Sequence, residues 1–261
     1  MDEIFQIKKP GTFLKTEIHP EDRHKNIKKF EAEIKKNWHI TTTLSYLMDS
    51  YYEANISLNL FDKAVYELEE CHKSIFRGKS HSNIPREFHE RMPYIYAKTF
   101  IYSLDTYKWH LNHVLGLNQQ NKGIQKAFED FKNAFPDLKF VRDSAHHLEQ
   151  RVQGKSNKGK IDVKPFPNGE FGNHSGSMNH VRGIIGDSHM LVTESLSGNV
   201  FGLTDQEGGY SKVAISNESM LELQKITQLV YDSLDWQSST YNEYLPNVNR
   251  WYLKNSCQQR V

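Results

Sequence analysis

The sequence predicts an α+β protein: an N-terminal helical bundle over residues 1–153, then a small antiparallel β-rich region with a late helix over residues 154–261. Three observations support this. Up to about residue 150, apolar residues recur every three or four positions, the period of a helix with one buried face. After Gly154, short β-type runs alternate with Gly, Asp, Ser and Asn. The helical period then returns between about residues 217 and 234.

The first predicted helix, about 21–36, is charged on nearly every face, with only Ile27, Phe30 and Ile34 available to pack. A longer one, about 41–77, carries Leu44, Leu47, Tyr51, Ala54, Leu58, Phe61, Val65 and Leu68 on one side. The polar stretch GKSHSNIP ends it as a loop. The next helix, about 87–116, has an apolar side of Tyr94, Ala97, Phe100, Ile101, Leu104, Tyr107, Trp109 and Val114; Pro93 lies in its opening turns or marks its start. A short helix over about 122–134 stops before Pro136, and another begins at Asp137, a good N-cap residue, and runs to about Gln153-Gly154. Short polar loops between such helices point to a bundle. Beyond it, KSNKGK reads as a basic loop, and strands are expected at about 161–163, 181–185, 190–193, 199–203 and 212–215. Gly208-Gly209 marks a turn, and Ser216-Asn217 caps the last helix, with Leu221, Leu223, Ile226, Leu229, Val230 and Leu234 facing inward.

Bulk properties narrow the function. The 261 residues allow a sizeable core. With 25% charged residues and a mean hydropathy of −0.70, the chain is polar, and no apolar run approaches the roughly 20 residues of a membrane span. The N-terminal stretch MDEIFQIKKPGTF is charged where a signal peptide needs apolar residues, so a cytoplasmic protein is expected. Cys71 and Cys257 form neither a disulfide framework nor a zinc pattern. A net charge of +1 means that any contact with nucleic acid must come from a local patch.

That patch is sought in Val141-Arg142-Asp143-Ser144-Ala145-His146-His147-Leu148-Glu149-Gln150-Arg151. Histidine exchanges protons near neutral pH, and arginine holds phosphate and the charge that develops on it. On a helix, positions 142 and 147 lie about 140° apart, whereas Arg142 and His146, and His147 and Arg151, share a face at i,i+4. Asp143 can fix the Arg142 fork by a charge-assisted bond. Lys155, Lys158 and Lys160 extend the positive surface, and with His146 and Arg151 they are the candidate substrate-binding residues.

Arg142, Asp143 and His147, with four residues between the arginine and the histidine, resemble the signature of the HEPN superfamily (higher eukaryote and prokaryote nucleotide-binding domains). Glu149 and Arg151 resemble the continuation found in some bacterial members. The likeness extends over about residues 90–153 and implies a helical bundle that acts as a metal-independent endoribonuclease. It implies Arg142, His147 and Asp143 as catalytic residues, RNA as substrate, no cofactor or metal, and a homodimer through the motif helix. It further implies a toxin or phage-defence role with an antitoxin or defence-system partner. Members that accept nucleotide transfer carry a tyrosine two residues after the histidine; position 149 here is glutamate. The doublet leaves His146 and His147 as alternative working imidazoles. The other reading is a non-catalytic HEPN-like module that binds RNA, nucleotide or a partner protein.

Other candidates carry less. Arg182 and His189 match the spacing but lie in the β-rich part, with Gly183 after the arginine. His110 and His113 have helical metal-ligand spacing without further ligands, and read as core or surface residues. His174, His180 and His189 show no ligand spacing. Gly169, Gly172 and Gly176 lack the lysine of a phosphate loop, and Ser175 lacks a nucleophile-elbow setting.

Overall fold

The computed structural model describes residues 6–9, 11, 13–14, 27–78, 83–147, 150, 153, 155–156, 159–164, 180–185 and 190–237. Helix α1 (Ile27–Phe76) is 50 residues long, and a short connection folds α2 (Arg86–Leu117) back along it. The two helices expected at 21–36 and 41–77 are therefore one. No Gly or Pro separates them, and the helix continues through Asn37-Trp38-His39. Residues 21–26 lie outside the described set. The buried face of α1 begins at Ile40 and runs to Cys71, following the predicted apolar spacing, while Ile27 is exposed.

Helix α2 starts after Pro85 and carries Pro93 within it. Helix α3 (Lys122–Ala134) is capped by Asn121, whose side-chain oxygen accepts from the backbone N–H groups of Gly123 and Ile124. Helix α4 (Leu138–His146) is shorter than expected. The helix foreseen to about residue 153 is interrupted at His147, the C-cap of α4, with φ −109° and ψ 42°. Gln150 is again helical, and its N–H donates to the His147 carbonyl at 3.1 Å. Asp137 occupies the N-cap position without capping; its carboxylate accepts instead from the backbone N–H of Lys212 at 3.2 Å, tying α4 to the sheet.

The β-rich part is a four-stranded antiparallel meander of β4 (His180–Ile185), β5 (Met190–Ser197), β6 (Val200–Thr204) and β7 (Tyr210–Ala214). Helix α5 (Asn217–Asp232) follows, capped as expected by Ser216, whose Oγ accepts from the Ser219 N–H. KSNKGK is a small hairpin of β2 (Lys155–Ser156) and β3 (Gly159–Lys160). The strand expected at 161–163 does not form. Lys164 N–H instead donates to the Gly208 carbonyl at 2.8 Å, docking this segment on the turn between β6 and β7. An unforeseen pair, β1 (Phe13–Leu14) with β8 (Trp236–Gln237), joins distant parts of the chain.

One buried cluster runs through both parts: Leu47, Phe100, Tyr107 and Phe131 from the helices meet Leu196, Phe201 and Val213 from the sheet, and Leu223 and Val230 from α5. The Tyr107 hydroxyl lies 2.8 Å from Thr227 Oγ1, so α2 and α5 are joined inside that core by a buried hydrogen bond. Two residues expected to face inward do not: Trp109 is 63% exposed and Leu221 is 42% exposed.

Gly208 explains its own identity. Its φ is +82°, and a Cβ there would lie 1.7 Å from the Asp162 carbonyl oxygen. Gly208→Ala is expected to destabilise by about 2–4 kcal/mol, combining left-handed strain with a backbone clash. A urea midpoint lowered at unchanged slope checks it.

Candidate functional site

The Arg142 side chain bridges α2 and α4. Its Nε lies 3.2 Å from Asp105 Oδ2 on α2, and its Nη1 lies 2.8 Å from Asp143 Oδ1 on its own helix. The sequence reading foresaw Asp143 and missed Asp105. The Nε group is buried and makes no hydrogen bond, so Asp105 attracts it by charge without taking its proton along the N–H direction. Asp143 is shared: its carboxylate holds Arg142 while its carbonyl accepts the backbone N–H of His147 at 3.2 Å. The two motif residues are thus anchored to a single aspartate at the end of α4.

His146 is exposed and His147 is half-buried, and their rings meet edge to face with centroids 5.3 Å apart. Because the helix ends here, the i,i+4 relation foreseen between His147 and Arg151 does not hold within α4; Arg151 lies outside the described residues, as does Lys158. Lys155 and Lys160 face each other across the small hairpin and are exposed. The Lys155 ammonium donates to Gln153 Oε1 at 3.4 Å.

Unsatisfied polar atoms gather at this place. Arg142 Nε, Ser144 Oγ and Gln150 Oε1, all between positions 142 and 150, are buried side-chain atoms that make no hydrogen bond. Natural proteins leave few such groups.

A polar stripe on α2 leads to the motif. Arg91, Lys98, Tyr102, Asp105 and Trp109 fall within about 60° of one another around the helix axis. Glu194 of β5, 2% exposed, accepts from Arg91 Nη1 at 3.0 Å and from the Lys98 ammonium. Burial alone would raise its carboxyl, but the bonds and charges of Lys98 and Arg91 outweigh this and hold it below the usual carboxylate value. Tyr102 stands between the two clusters. Burial raises its hydroxyl above the ordinary tyrosine value, the Arg142 charge opposes the rise, and Glu194 adds to it. The signal for this stripe was present in the sequence as polar residues at i, i+7, i+11 and i+14 of one helix, to which Trp109 adds at i+18.

No family model, curated protein or solved structure matches the chain. Among the described residues, no group of three or more His, Cys, Asp or Glu could hold a metal ion, and no helix is long and apolar enough to cross a membrane.

Proposed function

We propose that this protein is a metal-independent, HEPN-like endoribonuclease in which Arg142 and His147 act on one phosphodiester of RNA. The observation that carries the reading is the Asp143–Arg142 ion pair at the end of α4, one helical turn before His147. In the proposed step the 2′-OH attacks the adjacent phosphorus and passes its proton to the His147 imidazole. The P–O5′ bond breaks, and the leaving oxygen takes up a proton. The products are a 2′,3′-cyclic phosphate and a 5′-OH end. Arg142 stabilises the phosphorane, which carries more negative charge than the ground state. The working form is proposed to be a cytoplasmic homodimer joined through α4, serving as a toxin or defence effector restrained by a partner.

The test is incubation of the purified protein with a mixed tRNA and mRNA pool in EDTA, beside His147→Ala, followed by analysis of the fragment ends. Cleavage by the wild type alone, giving cyclic phosphate ends, supports the reading; equal cleavage by both proteins, or none by a folded wild type, overturns it. Arg142→Lys provides a second check. A single ammonium cannot meet Asp105 and Asp143 together as the guanidinium does. The cleavage rate is expected to fall by roughly 10²–10³, the range for loss of one preorganised donor.

One observation favours a different class. Asp105 and Asp143 place two negative charges against the single positive charge of Arg142, and they compete with a phosphate for it. A non-catalytic module that binds a partner protein has no need of a free guanidinium. In that case affinity survives His147→Ala and no fragments form.

A further inference from the structure

Trp109 stands on the α2 stripe one helical turn beyond Asp105, about 6 Å along the axis, and is 63% exposed. Its ring plane lies within 7° of that of His113, one turn further on, with centroids 5.9 Å apart. His110 meets Trp109 edge to face at 4.9 Å and stacks on Tyr46 of α1 at 5.6 Å, with planes 20° apart. Burial, followed by the neighbouring His113, holds the His110 imidazole below its usual value against the pull of Asp49, so His110 takes part as a neutral ring. A large aromatic on the charged side of a helix contributes nothing to the core beneath it. Here the Trp109 and His113 rings instead form a parallel, exposed pair that starts one turn from the residue holding Arg142, with His110 and Tyr46 set across it.

We infer that Trp109, with His113 beside it, is a stacking platform for an unpaired nucleobase of a single strand whose phosphate is held at Arg142. Two features favour a nucleic-acid strand over an apolar protein surface. The Trp109 and His113 rings are parallel and both exposed, and exposed Lys139 stands one turn before Arg142 on α4. The platform is also in line with the Asp105–Arg142 pair, so backbone and base can be met by neighbouring groups. Stacking accepts any base, and the choice of RNA over DNA rests on the ribonuclease reading above.

The experiment titrates the protein with a 12-nucleotide 2′-O-methyl oligoadenylate, which cannot be cut by 2′-OH attack, while following anisotropy of the labelled strand and tryptophan fluorescence. A duplex of equal length and a single-stranded DNA are the comparison arms. Trp109→Ala is expected to weaken single-strand binding by roughly 5- to 150-fold, with duplex binding unchanged, and Trp109→Phe is expected to retain most of the affinity. Thermal melts of both variants establish that they are folded. Unchanged affinity in Trp109→Ala, equal losses in the alanine and phenylalanine variants, or no strand binding by the wild type overturns the platform; so does loss of self-association as the only effect of Trp109→Ala. The two readings fail separately. Strand binding that depends on Trp109 without cleavage of natural RNA removes the ribonuclease and leaves the platform, whereas cleavage with no role for Trp109 does the reverse.

Discussion

His147→Ala is expected to slow RNA cleavage by about 10²–10⁴-fold, the usual contribution of a positioned general acid or base. His147 is half-buried and sits just past the end of α4, where its backbone N–H closes the last turn and alanine supplies the same group. Rate and melting temperature measured on the same preparation separate the two effects. His146→Ala is the internal control, because His146 is exposed and lies on the last residue of the helix. If His146→Ala loses the rate and His147→Ala keeps it, the working imidazole is the other member of the doublet.

The second large effect concerns stability. Glu194 is buried against Lys98 and Arg91, and Lys98→Met leaves its carboxylate with Arg91 alone, which is 39% exposed. Breaking a buried pair from one side typically costs about 3–5 kcal/mol; with one partner left, about 3 kcal/mol is expected. For a protein of this size that lowers the melting temperature by roughly 6–12 °C. The pH dependence follows from the direction of the shift. A carboxyl held below its unfolded value of about 4.3 stabilises the fold above that pH, and the benefit disappears as pH falls through the lower folded value. The gap between wild type and Lys98→Met should therefore be full at pH 7 and narrow below about pH 4. A gap that stays constant down to pH 3 would assign the loss to packing of the lysine stem instead.

Several elements were legible because a single periodicity determines them. The α1 core positions, the meander strands, the Ser216 cap and the Gly208 turn all follow from spacing or from one residue's backbone preference. The end of α4 was not, because no Gly or Pro stands between Arg142 and Gly154 to announce it. Trp109 was misplaced for a related reason: a tryptophan at helical spacing looks like core, and which face it takes is decided by where α4 and the sheet lie. Asp105 and Glu194 are far from the motif in sequence and gain meaning only when α2 is brought against α4 and β5. Arg142, Asp143 and His147 were found because they are near neighbours, and their joint dependence on Asp143 is local geometry.

The hydrogen bond between Tyr107 and Thr227 spans 120 positions, and that separation has a meaning in time. At about 5–20 residues per second, a ribosome reaches Thr227 roughly 6–24 s after it has made Tyr107. During that interval α3, α4 and the sheet are made, but the part of the core that Leu223, Thr227 and Val230 fill stays open. The nascent chain therefore passes through a stage, seconds long, in which a holding chaperone has a ready surface and premature termination leaves a sticky fragment. Among the described helices α5 is made last, and it is the one that closes this part of the core.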